Sequence, residues 1–415
     1  MSQHSTFDSR SVRNEVDAWI DTNWDPELPL LEWRERLVTS GWMVPSWPTK
    51  WFGRGLAASA DRIVADALRD RGAPGAPIGS GMSLAAPTLL EHASDQLNRD
   101  LIRPTITGAI TWCQLFSEPG AGSDLASLST TATLDGDEWV LNGQKVWNTS
   151  AHHADFAIVV ARSDWDAPKH RGISYFVLPM GQAGVEVRGI KQMNRHASFN
   201  EVFLTDARLP AHFLVGDRGD GWRIARTPLA HERSFATLRR PSYRTDSAPP
   251  GRAVREAEAE ADEHFATYVW YPQRAGRADL LIPRAQEFGL DTDPRIRDAI
   301  GRVAGFQRAN EWTALRARSA RALGRPPGPE GSIGKLAASE LARRSAKTHG
   351  QISGAHGMLD DGAQSTVAEV LVSTPAQSIA GGTDEIQRNI IGENILGLPR
   401  EPSHDRETPF RDLPR

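Results

Sequence analysis

Residues 115–125 read "LFSEPGAGSDL". Gly120 and Gly122 invite comparison with the dinucleotide fingerprint G-x-G-x-x-G, but the third glycine is missing and no strand–helix–strand context surrounds the stretch. What it marks is a change in the chain. Upstream, residues 11–112 read as helices: Val12, Val16, Trp19 and Ile20 share one helical face, as do Leu56, Ile63, Val64, Ala67 and Leu68. "RGAPGAPIGSGM" is a Gly/Pro loop, and "LLEHASDQLNRDLI" predicts a further helix stopped before Pro104.

Downstream of Cys113 the pattern is β. "STTATLDGDEWVLNGQKVW" reads as two strands around Asp135-Gly136, with a second turn signal at Asn142-Gly143. "FAIVVAR", "ISYFVLP", "VEVRGI" and "NEVFLTDAR" follow as short strands. Helices return from Gly221. "VREAEAEADEHFATYVW" reads as a surface helix. A long amphipathic helix from Ile296 is ended by Gly324 and Pro326, and another is capped by Ser332 and ended by Gly350. The order α, β, α predicts helical 1–112, a β domain over 113–220, helical 221–400 and a loose polar tail over 401–415.

At 415 residues with 39% apolar and 24% charged side chains, the chain reads as a globular protein of two or three domains. A net charge of −4 argues against capture of nucleic acid or anionic membrane. The single cysteine, Cys113, suits a reducing cytoplasm. No signal peptide is read at the N-terminus, and no segment is apolar for long enough to span a bilayer. "EGSIGKL" fails as a phosphate loop, because Pro329 and Leu336 occupy the positions of the first glycine and the hydroxyl residue. His152 and His153, as neighbours, are expected to point apart and to hold no metal.

Together, "LFSEPGAGSDL", "GQKVWNTSA" (143–151) and "IAGGTDEIQRNIIGE" (379–393) resemble the acyl-CoA dehydrogenase family over about residues 15–400. The resemblance implies an α+β fold with an N-terminal helical domain, a central β-barrel or sandwich and a C-terminal four-helix bundle. It implies FAD as cofactor, an acyl-CoA substrate and an electron-transferring flavoprotein as electron acceptor. By family position, Leu115, Phe116 and Ser117 lie beside the flavin pyrimidine edge, Trp147 packs on the ring system, Thr149 bonds near N5 and Ser123 contacts acyl-CoA. Gln351 and Gly354 match a segment that meets a neighbouring subunit's flavin, with Ala355 where glycine is usual. Thr383 and Glu385 match further FAD contacts. The family's Arg-x-x-Phe-Gly element is absent. Either Arg295 or Arg297 replaces its arginine, or another polypeptide supplies it, so the resemblance allows a homo-oligomer or a heterotetramer with a paralogous subunit.

The catalytic glutamate usual before the Gly-Thr of the C-terminal loop is replaced by Gly381. Glu232-Arg233 matches the pair by which isovaleryl and long-chain members supply the base from an earlier helix. Glu232 is therefore the expected base, Arg233 a substrate or orienting contact, and the Gly381 N–H a donor to the thioester carbonyl. Two rival readings keep the fold: an acyl-CoA oxidase or flavin monooxygenase, and a non-catalytic subunit completing a partner's site. "KQMNRHASFNEVF" (191–203) resembles members acting on bulky acyl-CoAs, including sterol-derived ones.

Overall fold

The computed structural model describes residues 8–234, 243, 250–322, 328, 330–359, 362–400, 402 and 407–414, with the side chains of 230–234, 321–322 and 362–364 outside the description. The chain forms two compact units. One groups Met1–Ile190, Ser198–Thr267 and Asp405–Arg415; the other groups Lys191–Ala197 and Tyr268–His404.

In the first unit, helix Ser9–Asn23 starts where the Asp8 carboxylate accepts from the Arg10 N–H, and it buries Val12, Val16 and Ile20. Trp33 lies between Trp19 and Trp24, with ring centroids 5.6 and 4.6 Å away. The run expected to end before Pro104 is instead two helices. Ala86–His92 ends at extended Ala93, and Ser94 caps Asp95–Thr107, accepting from the Leu97 N–H. The second helix continues past Pro104 and closes at left-handed Gly108. The missing donor of Pro104 falls within the last turn, where Thr105 Oγ1 gives 2.6 Å to Leu101 O and Thr107 Oγ1 gives 3.1 Å to Arg103 O.

Eight strands follow: β1 Trp112–Leu115, β2 Thr131–Asp135, β3 Glu138–Thr149, β4 Phe156–Arg162, β5 Ile173–Pro179, β6 Val185–Ile190, β7 Phe199–Pro210 and β8 Leu214–Val215. They form one sheet in the order β6-β7-β3-β2-β4-β5-β8, with β1 beside β4 in parallel. Alternate residues of β4 and β5 enter two cores. Ile158, Val160, Ile173, Tyr175 and Val177 join the helices, while Ala157, Val159, Phe176 and Leu178 pack with β3 and β7 residues. With both faces covered, these strands read as unbroken apolar runs. Asp135-Gly136 does begin the β2–β3 turn, with Gly136 at φ +65°. Asn142-Gly143 does not turn; β3 runs through it with an irregularity in its pairing to β7. A Cβ on Gly143 would stand 2.4 Å from Thr130 Oγ1.

Helix Arg252–Ala266 belongs to this unit. It buries Ala253, Val254, Ala257 and Ala261, and Glu260 bonds buried Arg34 at 2.6 Å. The tail read as loose is docked over residues 407–414, where Phe410 is buried and its N–H gives 3.1 Å to Ala167 O.

In the second unit, helix Pro294–Ala322 precedes helix Glu330–Ser353. The latter begins two residues before Ser332 and passes through Gly350. A glycine costs a helix about 1 kcal/mol without ending it, and the left-handed stop is Gly354 at φ +51°. Helices Gly362–Ser373, Pro375–Ile379 and Asp384–Asn394 complete the unit. His196 Nε2 lies 2.8 Å from Glu369 Oε1, which ties residues 191–197 to it. Among the described residues no helix is long and apolar enough to cross a membrane.

Candidate active site

The first two family-like stretches meet in the sheet of the first unit. Val146 N–H gives 2.9 Å to Ser117 O, and Asn148 Nδ2 gives 2.8 Å to Gln114 O. Immediately before Val146, Lys145 turns inward. Its ammonium is fully buried and donates to Glu118 Oε1 (2.8 Å), Val160 O (2.8 Å) and Phe116 O (3.1 Å). Glu118 also accepts from the N–H groups of Ser129 (2.7 Å) and Thr130 (2.9 Å). Burial pushes the Glu118 carboxyl upward, but Lys145 and these donors outweigh it and hold the pKa below the usual carboxylate range. Leu115 and Phe116 are buried and Ser117 is half-buried.

One residue beyond Val146 the chain bulges. Lys145 pairs with Val202 and Asn148 with Asn200, so β3 carries one more residue than β7 across this step. Trp147 takes the strain, with φ +63°, and its indole is 58% exposed, edge-on to Phe199 with ring centroids 6.0 Å apart. A bulky residue in the left-handed region is an outlier that points to a function for the side chain. Thr149 is half-buried at the strand end. Among the described residues no hydrogen bond engages the hydroxyl of Ser117 or of Thr149. His152 and His153 do not point apart as expected; a 3-10 turn brings their rings together, tilted by 46° with centroids 3.7 Å apart. No metal-binding group of three side chains occurs among the described residues.

Past Ser117 the chain turns tightly, with Glu118 and Ala121 exchanging backbone bonds of 3.0 and 3.1 Å. Ser123 follows, exposed. Asp124 pairs with Lys169 at 2.5 Å. The end of this loop is held from below by fully buried Arg162, whose guanidinium donates to Ala126 O (2.7 Å), Leu128 O (3.1 Å) and Lys169 O (3.1 Å).

Glu232 and Arg233 fall on helix Gly221–Ser234, but their side chains lie outside the described residues. In the second unit, Gln351 and Gly354 are exposed where helix Glu330–Ser353 ends, and Ala355 is exposed on the 3-10 turn that follows. Gly381 has φ +66° and nothing within 4 Å of where a Cβ would stand. Thr383 caps helix Asp384–Asn394, its hydroxyl accepting from the Ile386 N–H. Glu385 points to solvent, 3.5 Å from Arg388. The buried group here is Asp384, which takes Arg343 Nη1 at 2.7 Å and Lys335 Nζ at 2.9 Å. Arg295 is exposed and bonds Asp293 at its own helix start, and Arg297 reaches Asp291 O at 3.4 Å.

Sequence reasoning passed over Lys145, Glu118, Arg162 and Asp384. Glu118 and Lys145 stood inside the quoted stretches, and the charge of Lys145 amid a strand was the available signal. Arg162 ends "FAIVVAR", an apolar run whose single charge marks the same thing.

A fold of helices flanking this sheet, with an exposed strained tryptophan beside the "SEP" turn, defines the class. The chain matches the family models for the acyl-CoA dehydrogenase middle domain over residues 113–207 and C-terminal domain over residues 281–396. It is 36% identical to acyl-CoA dehydrogenase IpdE1 of Mycobacterium tuberculosis across 95% of this chain and 99% of that protein. Human mitochondrial short-chain specific acyl-CoA dehydrogenase is 34% identical over 44% of this chain. Among solved structures, the Tcur3481–Tcur3483 steroid ACAD aligns at TM-score 0.64 and 22% identity over 97% of this chain and 100% of that one. The Mycobacterium tuberculosis ChsE4–ChsE5 complex aligns at TM-score 0.62 and 24% identity over 96% of this chain and 100% of that one. The chain belongs to the acyl-CoA dehydrogenase family, whose members are FAD-dependent oxidoreductases. The residues of the first unit fit that cofactor: the exposed Trp147 indole offers an aromatic plane, and the hydroxyls of Ser117 and Thr149 have no hydrogen-bond partner among the described residues.

Proposed function

We propose that this chain removes hydrogen from the α and β carbons of an acyl-CoA thioester, forming a trans-2-enoyl-CoA, and that the electrons pass to an electron-transferring flavoprotein. The observation that carries the reading is the bulge at Trp147, which holds a strained, exposed indole one residue beyond the bond from Val146 to Ser117. FAD, when bound, supplies the hydride acceptor. Trp147 would hold its ring system, Ser117 and the backbone of Leu115 and Phe116 would meet the pyrimidine edge, and Thr149 would donate near N5.

Glu232 would take the α-proton, and the Gly381 N–H would bond the thioester carbonyl as negative charge develops there. Gly381 has the open surroundings that a side-chain-free position provides. Ser123 and Arg233 would contact acyl-CoA, and Gln351, Gly354, Thr383 and Glu385 would serve a flavin. The test is Glu232→Gln. The purified variant should retain FAD and lose bleaching of the flavin by acyl-CoA. Bleaching at a near-normal rate would place the base elsewhere. A solved relative named a steroid ACAD favours sterol-derived thioesters as the first panel of substrates.

A second reading concerns assembly. Arg295 and Arg297 are engaged by Asp293 and Asp291 at the start of their own helix, which favours an arginine supplied by a paralogous subunit. A solved structure of this fold, ChsE4–ChsE5, is itself a complex. Colour tests this directly. Purified alone, a self-sufficient homo-oligomer is yellow; a chain that needs its paralogue is colourless until the two are co-expressed.

A further inference from the structure

We propose that Phe410, in the docked C-terminal segment, is a positioning residue for acyl-CoA, acting through Arg162 on the loop that carries Ser123. The proposal rests on the reading of Ser123 as a substrate contact. The segment is fastened to the loop between β4 and β5. Phe410 N–H gives 3.1 Å to Ala167 O, Arg411 N–H gives 3.1 Å to Trp165 O, and the Arg411 guanidinium pairs with Asp166 at 2.6 Å. These bonds set the Phe410 ring over the Arg162 guanidinium at 3.3 Å, with the Trp165 ring beside both, 5.4 Å from the Phe410 ring and 5.8 Å from the guanidinium.

Arg162 is fully buried, so each of its N–H groups needs a partner and its charge needs compensation. Three donors reach the carbonyls of Ala126, Leu128 and Lys169, and the negative face of the phenyl ring covers the cation. The stretch that follows Ser123, residues 124–128, therefore depends on one guanidinium. Its C-terminal end hangs on Arg162 through Ala126 and Leu128. Its acidic residue, Asp124, is paired to Lys169, whose carbonyl Arg162 also holds. Without the phenyl face the buried charge loses part of its compensation, and the guanidinium is held less firmly against the loop carbonyls. The loop loosens, while Ser117, Trp147 and Thr149 keep their supports from Lys145 and Asn148. The expected signature is weaker substrate binding with unaltered chemistry.

The experiment compares Phe410→Leu, which keeps apolar volume but removes the ring face, with Phe410→Tyr, which keeps it. FAD content, kcat, KM for acyl-CoA and amide hydrogen exchange over residues 121–130 are measured on the FAD-loaded protein. Phe410→Leu should speed exchange in that loop and raise KM about tenfold, a change of about 1.4 kcal/mol, with kcat and FAD content kept; Phe410→Tyr should restore both. Unchanged exchange in Phe410→Leu overturns the proposal. So does faster exchange with unchanged KM, or a joint fall of kcat and FAD content. A wild-type protein that carries FAD but is bleached by no acyl-CoA would instead overturn the reading of the reaction, and the exchange measurement would still decide whether Phe410 holds the loop.

Discussion

Lys145 Nζ lies 2.8 Å from Glu118 Oε1, and both side chains are buried inside the sheet of the first unit. A buried pair is seldom a net source of stability, but removing one partner strands the other's charge at a cost of about 3–5 kcal/mol. Lys145→Met should therefore destabilise the protein by about that amount in denaturant titration. Because Lys145 also holds Phe116 O, the variant should lose FAD during gel filtration. Lys145→Met with Glu118→Gln should recover part of the stability. A double variant as unstable as the single one would show that the stranded carboxylate is not the cause.

Trp147 gives a test of opposite character. Its left-handed backbone is strained and its indole is largely exposed, so the side chain contributes little to the fold. Trp147→Gly relieves about 1 kcal/mol of strain, offset by about 0.5–1 kcal/mol of extra freedom in the unfolded chain. The apoprotein's Tm should stay within a few degrees of wild type while the FAD-to-protein ratio falls sharply. A large fall in Tm without FAD would make Trp147 a folding residue.

How much of this was legible in the sequence depended on whether neighbours in the chain or distant residues decide the structure. The helical face of Val12, Val16 and Ile20 and the β2–β3 turn are local, and they formed as read. Asn142-Gly143 carries the same local turn signal. There Gly143 serves a tertiary contact instead, since Thr130 packs against the strand where any Cβ would be. The tail misled for the same reason. Residues 407–414 are polar and carry prolines, but Phe410 meets Arg162, a partner about 250 residues away that no local pattern names. Ser117, Trp147 and Thr149 are proposed as flavin contacts by resemblance alone. The buried charges that set their backbone, Lys145 and Glu118, become visible only when β3 is laid beside the turn after β1.

Gly143→Ala tests that tertiary contact. The new Cβ would lie 2.4 Å from Thr130 Oγ1 and 2.8 Å from Thr130 Cα, and the second of these is backbone and cannot swing aside. Overpacking of this kind costs roughly 1–3 kcal/mol. The shift should pass along β3 to the bulge, so FAD content should fall together with Tm, unlike the separation expected for Trp147→Gly. An alanine variant with wild-type Tm would mean that β3 and Thr130 can part without cost.

Asp384 supplies the pH dependence. Burial raises the pKa of its carboxyl, but Arg343 and Lys335 outweigh this and hold it far below the ordinary carboxylate value. A folded-state pKa depressed in this way means the ionised form stabilises the folded protein. That contribution is complete above the unfolded value of about 3.9 and is lost as pH falls from there toward the folded value. Asp384→Asn leaves two cations facing a neutral amide, at a cost of about 3 kcal/mol near neutral pH. The Tm gap between wild type and variant should be constant from pH 7 to about pH 5 and should shrink steadily below about pH 4, because only the wild type has this charge to lose. A gap that stays the same width down to pH 3 would show that Arg343 and Lys335 do not draw their effect from the Asp384 charge.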